Sequence, residues 1–264
     1  VHTDLLAAGL IPDPWDRDNE RRIQWVHERH WMMRRTLDVD ASFLDREQVV
    51  LRFEGIDTLA TVQVNGHTVL EADNMHRTWE IGVKNLLRPG INSIEVRLHS
   101  PIPWMKERQE RRPLPAWGVF HRDFAGRGYL RKMACAFGWD WGFMAPTSGL
   151  WRPVSLRAFD ARLGDVRVSQ EHEQGRVRLA VEGVAEGAAR MVVLALRDPD
   201  DALCAEQTLD VVDGRFAGVL EVPEPALWWP NGLGDQPLYS LDAALDGAGP
   251  ENFADQKIFR LGLR

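Results

Sequence analysis

The decapeptide Thr61-Val-Gln-Val-Asn-Gly-His-Thr-Val-Leu70 decides the class of fold. Two runs rich in β-branched residues flank Asn65-Gly66, and both central positions of a type I′ turn need the positive φ that Asn and Gly tolerate, so a tight hairpin is expected. Working outward, residues 49–54, 77–83 and 93–99 carry the same signature at the short spacing of an all-β fold, with Arg88-Pro-Gly-Ile-Asn92 as a second turn. Residues 101–112 are the main helical candidate, opened by Pro101 and closed by Pro113. A long aromatic and glycine-rich loop over 114–128 follows, then strand-like segments at 129–136 and 150–159.

Beyond residue 159 the composition changes: Val, Leu, Ala and Gly alternate with charges, and tryptophan is rare except at Trp228 and Trp229. Short strands are expected at 166–171, 176–182, 190–197, 202–211, 215–222, 238–245 and 257–263, a rhythm that suits an immunoglobulin-like sandwich. The reading is therefore all-β, with a first domain at 1–159 and an immunoglobulin-like β-sandwich at 160–264.

The 264 residues are ordinary globular material, 44% hydrophobic and 27% charged. A net charge of −7 has the wrong sign for nucleic acid phosphates or anionic lipid, so neither partner is expected. No uncharged run approaches the ~18 residues needed to cross a bilayer, and Val1-His2-Thr3-Asp4 shows no secretory n-region, although a processed start could have removed a targeting segment. Two cysteines, Cys135 and Cys204, make neither a disulfide framework nor a metal cage, and no glycosylation sequon occurs; a cytoplasmic setting fits best. Lys84, Lys106, Lys132 and Lys257 are the only lysines in an arginine-rich chain. Eleven tryptophans are unusual; most are expected to fill sandwich cores, and the surplus points to sugar stacking.

Several apparent sites dissolve on inspection. Glu107 and Glu110 share a helix face but alternate with Lys106, Arg108, Arg111 and Arg112, which describes a solvated, self-paired surface. His27 and His30 resemble a metal pair, yet on a strand their odd offset points them to opposite faces, so no metal is expected. His121-Arg122-Asp123 imitates a kinase catalytic loop, but Gly128 stands where its Asn should be and no phosphate loop precedes it. No cofactor fingerprint appears.

One stretch remains: Arg131-Lys-Met-Ala-Cys-Ala-Phe-Gly-Trp-Asp-Trp-Gly142. An acidic group framed by indoles suits a sugar, because the carboxylate accepts from hydroxyls while an aromatic face covers the ring's C–H surface. The alternative is structural: Asp140 pairs with Arg131 or Arg152, and Trp139 and Trp141 fill the core.

The segments GWDWG at 138–142, TSGLWRPV at 147–154 and LWWPNGLGDQPLY at 227–239, with IPDPWDRDNE at 11–20 and QWVHERHWMMRRTLDV after it, together resemble the β-mannosidase branch of glycoside hydrolase family 2. The W-D-W-G element is what favours that branch over the wider family. The resemblance implies a jelly-roll domain similar to a galactose-binding module, then the immunoglobulin-like sandwich, then a (β/α)₈ barrel that carries both catalytic glutamates. The chain stops at Arg264, where the family passes to its barrel, so no catalytic residue is assigned and the chain alone is expected to be inactive. By the same resemblance Asp140 binds hydroxyls of a terminal β-mannoside or manno-oligosaccharide at the mouth of the barrel, and Trp139 lines the pocket. Phe143 departs from the Pro usual after W-D-W-G. Trp228-Trp229-Pro230 and Trp151-Arg152-Pro153 are expected to be packing elements, and IPDPW to cross a domain interface. The alternatives are an independent carbohydrate-binding module, or another sugar specificity within the family.

Overall fold

A computed structural model describes residues 1–115, 124–139, 142–246 and 254–264. The chain divides into two compact units, Val1–Ala158 and Phe159–Arg264.

The first unit opens with helices α1 (His2–Ala7) and α2 (Asn19–Arg22), strand β1 (Trp31–Val39) and helix α3 (Ala41–Leu44). Strands β2 (Gln48–Phe53), β3 (Ile56–Asp57), β4 (Ala60–Val64), β5 (His67–Ala72), β6 (Trp79–Gly82) and β7 (Gly90–Leu98) follow, then helix α4 (Pro101–Arg111) and strands β8 (Gly149–Leu150) and β9 (Val154–Phe159). They form sheets in the orders β1-β7-β4-β5 and β6-β2-β9, with β3 paired to β8. Val49, Leu51 and Phe53 of β2 alternate inward and meet Val62 and Val64 of β4 and Val96 and Leu98 of β7 in one core. That shared core makes the two sheets a sandwich, each such side chain contributing about 1.5–3 kcal/mol on burial.

The hairpin forms as its sequence requires: Asn65 has φ 49° and Gly66 φ 83°, closing the Val64↔His67 pair of β4 and β5. The Asn65 amide also donates to Leu86 O and to Asn92 Oδ1, both at 2.8 Å, so the two turns legible in the sequence are tied to each other. Ser100 caps α4 by accepting from Ile102 N at 3.3 Å, and Arg111 pairs with Glu107 at 2.7 Å on the exposed face, the self-paired surface expected there. No described helix is long and apolar enough to cross a membrane.

Three expectations need correction. Residues 129–136 form no strand: 3₁₀ turns occupy Arg127–Tyr129 and Ala134–Ala136, with a single bridge Asn74↔Arg131 between them. The backbone there turns to deliver Lys132 inward. Residues 27–30 are not a strand either; His27 follows a 3₁₀ turn (Gln24–Val26) and is buried edge-on against Phe124 at 5.3 Å, while His30 accepts from Ser100 N at 3.1 Å. Among the described residues no group of three His, Cys, Asp or Glu could hold a metal ion. Finally, no described tryptophan is fully buried. Trp31, Trp79 and Trp104 lie at the edge of the cores, and the indole of Trp31 donates to Val26 O at 2.8 Å and that of Trp151 to Met75 O at 3.0 Å.

The second unit contains β10 (Ala161–Glu173), β11 (Arg176–Gly187), β12 (Met191–Arg197), β13 (Leu203–Asp210), β14 (Arg215–Pro223), β15 (Tyr239–Leu245) and β16 (Asp255–Leu261). Sheets β10-β11-β14 and β13-β12-β15-β16 form an immunoglobulin-like sandwich. Its core side chains recur at every second residue: Val177, Leu179 and Val181 on β11, Val192, Leu194 and Leu196 on β12, Leu241, Ala243 and Leu245 on β15. Trp228 N donates to Leu263 O and Trp229 N to Asp235 O, both at 2.9 Å, which makes the LWWPNG element a turn, as expected.

Candidate functional site

The described parts of the segment between Lys132 and Thr147, residues 132–139 and 142–147, are tied by backbone hydrogen bonds. Phe137 bridges Met144 in antiparallel sense. Nearer the tip, Trp139 N donates to Gly142 O at 3.5 Å and Gly142 N donates back to Trp139 O at 3.2 Å. A Cβ at position 142 would stand 3.1 Å from Trp139 Cβ and 3.2 Å from its backbone nitrogen, so glycine suits this close approach. Beneath the loop, Phe137 packs with Leu59, Met105, Phe124 and Leu130. On its other side Gln24 donates to Met144 O at 2.8 Å.

A cleft of about 880 Å³ lies against this loop, lined by Trp139, Gly142, Phe143 and Thr147 together with Trp15, Leu114 and Arg127. Trp15 stacks on Phe143 with ring centroids 4.4 Å apart. Trp15 of the IPDPW segment thus meets Phe143 within the first unit and remains 76% exposed. A second cavity of about 960 Å³ lies in the other unit among Asp165, Arg167, Glu182 and Phe216. Its charged walls are partly neutralised by the exposed Arg167–Glu182 pair at 3.6 Å, and no aromatic platform is exposed there to favour a sugar.

The sequence-derived site residues fall as follows. Trp139 is 47% exposed on the cleft wall, which excludes it from the core. Asp140 and Trp141 lie outside the described residues, as does His121-Arg122-Asp123. The Arg152 guanidinium rests over the Trp151 ring at 4.2 Å.

The stem of the loop holds a group that sequence reading missed. Lys132 Nζ donates to both carboxylate oxygens of Asp57 at 2.5 Å, to Thr147 O at 3.0 Å and to Thr147 Oγ1 at 3.1 Å. The Thr147 hydroxyl in turn donates to Asp57 Oδ2 at 2.6 Å, and Thr58 donates to Asp57 Oδ1. The side chains of Lys132 and Asp57 are only 1% and 3% exposed. Burial pushes the Lys132 ammonium below the usual lysine value, while the charge and hydrogen bond of Asp57 push it back up. Nearby, burial holds His2 down to about 4 and His27 below the ordinary histidine value. One signal could have singled out Lys132: it is a lysine in a chain that otherwise uses arginine. A compact ammonium fits between a carboxylate and a threonine where a planar guanidinium would not.

Comparison with known proteins places these features. Residues 1–152 match the family model described as glycosyl hydrolase 2 galactose-binding domain-like. The chain is 34% identical over its whole length to beta-mannosidase B of Thermothelomyces thermophilus, covering 31% of that protein. It is 30% identical to beta-mannosidase B of Emericella nidulans, covering 32%. Among solved structures, a beta-D-mannosidase from Dictyoglomus thermophilum superposes on all of this chain with TM-score 0.90 and 36% identity, over 33% of its own length. A Bifidobacterium dentium beta-glucuronidase shares the fold over 89% of the chain, with TM-score 0.62 and 18% identity. The chain thus spans about a third of the length of the mannosidases it matches.

Proposed function

Because the chain belongs to the glycosyl hydrolase 2 galactose-binding domain-like family, we propose that it is the non-catalytic N-terminal part of an exo-acting retaining β-mannosidase. Its task is to supply a sugar-gripping loop to a catalytic barrel encoded outside these residues. The full-length likeness to β-mannosidases supports the substrate class. The observation that carries the site is Trp139, half exposed on the wall of an apolar cleft at the tip of a tied loop, directly before Asp140.

In this reading the Trp139 face covers the C–H surface of the terminal sugar and the Asp140 carboxylate accepts from two of its hydroxyls. Fixing the ring in this way places the glycosidic bond between an acid that protonates the leaving oxygen and a nucleophilic carboxylate, roughly 5 Å apart, both on the barrel. Cys135 and Cys204 are free and exposed, which supports a reducing compartment such as the cytoplasm.

Two measurements test the proposal. The isolated 264-residue chain should show no turnover of a chromogenic β-mannoside above blank; turnover would contradict it. In the protein that includes the catalytic portion, Asp140→Ala should lower kcat/KM by roughly 100-fold or more, the scale of losing a charged hydrogen-bonding group in a closed site. An unchanged kcat/KM would remove Asp140 from the site.

A further inference from the structure

We propose that Asp57, Lys132 and Thr147 form a positioning clamp that sets where Trp139 stands on the wall of the cleft; the inference rests on the function proposed above. Lys132 and Thr147 are the two ends of the loop's stem, and both close on one carboxylate that lies 75 residues before the first and 90 before the second. Lys132 also donates across the stem to the Thr147 carbonyl at 3.0 Å, so the ends are joined to each other as well as to the sheet.

Between these ends the described backbone is braced: Phe137 bridges Met144 and packs with Leu59, Met105, Phe124 and Leu130, Gln24 donates to Met144 O, and Trp139 and Gly142 exchange hydrogen bonds. Two arms joined at the stem and again midway move together, so a rotation of the stem shifts Trp139. Packing alone would have served stability, because a buried ion pair is often no more stabilising than apolar residues of the same volume. What this pair adds is direction: two carboxylate oxygens accept from an ammonium and two hydroxyls, those of Thr147 and Thr58, in a single arrangement. Thr147 belongs to both parts, since it completes the clamp and also lines the cleft.

The test is a double-mutant cycle in the protein that includes the catalytic portion. Thr147→Val keeps volume and removes only the hydroxyl. It should lower kcat/KM for a chromogenic β-mannoside by about tenfold, as sub-ångström misplacement of a binding group does. Thr147→Ser, which restores the hydroxyl, should recover most of that loss. In an Asp140→Ala background the same Thr147→Val change should alter kcat/KM by clearly less than tenfold, because a clamp that acts through the grip has only the Trp139 face left to position. Circular dichroism of each variant checks that it is folded, and Thr58→Val, which removes the other hydroxyl on the Asp57 carboxylate and keeps the ion pair, should show the same coupling. If Asp140→Ala lowers activity while folded Thr147→Val does not, or if the two losses multiply, the clamp is overturned and the sugar grip stands. If Asp140→Ala alone leaves activity unchanged, the grip itself is wrong and the clamp falls with it.

Discussion

The second unit and the segment between Lys132 and Thr147 are held in place by opposite means. In Phe159–Arg264 the core is spread over Val177, Leu179, Val192, Leu194, Leu241 and their neighbours, each a modest share of one apolar interior. Among the described residues of the loop the strand pairing is one bridge, Phe137–Met144, and the stem is fastened by one buried carboxylate. A distributed core holds its strands by many non-directional contacts and tells little about function. A polar fastening is directional, which is the property a substrate-positioning loop needs.

The sharpest way to break this contrast is to remove one partner of the buried pair. Lys132→Met leaves Asp57 charged and uncompensated, and should cost about 3–5 kcal/mol, read by denaturant unfolding of the first unit. A cost under about 1 kcal/mol would mean that water reaches the carboxylate and that it is no true fastening. In the second unit Leu194→Ala, at a site with 0% exposure, should cost about 2–5 kcal/mol through lost burial and the cavity left behind. Its effect should be confined to the sandwich transition and leave sugar handling untouched.

Acid should separate the two units by a smaller amount. His2, His27 and His99 of the first unit are all held below the ordinary histidine value, chiefly by burial, His2 down to about 4. Below the ordinary histidine pKa of about 6.5 the unfolded chain takes up protons that the folded unit refuses, so stability present above that pH drains away as pH falls toward the folded values. The second unit has one histidine, His172, and it is exposed. Calorimetry at about pH 7 and pH 5 should therefore show the first unit's transition moving down further than the second's. Equal shifts would contradict the assignment of the acid response to these buried imidazoles.

The physical basis of what was legible follows the same division. Alternation with period two made all seven strands of the second unit readable, since burying one face of a strand leaves a mark at every second residue. Asn65-Gly66 was readable because two positive φ values in succession admit few other residue pairs. The stem of the loop left no such mark. Lys132 stands close to Asp140 in sequence, yet it pairs with Asp57, and that partnership across 75 residues has no period. For the same reason the 129–136 stretch read as a strand: its apolar residues serve local packing around the inward lysine, and ladder pairing is reduced to one bridge. The stacking of Trp15 on Phe143 was hidden likewise, although each residue had been singled out for other reasons.

Lysine usage was the unread clue. Beyond Lys132, Lys84 donates to Arg46 O and Lys257 to Gly164 O, each at 2.5 Å. In a chain that uses arginine nearly everywhere, three of the four lysines place a compact ammonium on oxygens of their own unit.

The most direct test is a structure of the protein with its catalytic portion and a terminal mannose bound. The account predicts the Asp140 carboxylate within about 2.6–3.2 Å of two sugar hydroxyls, with the Trp139 ring against the sugar. A bound sugar that is held entirely by barrel residues, with Asp140 turned into its own sandwich, would contradict it.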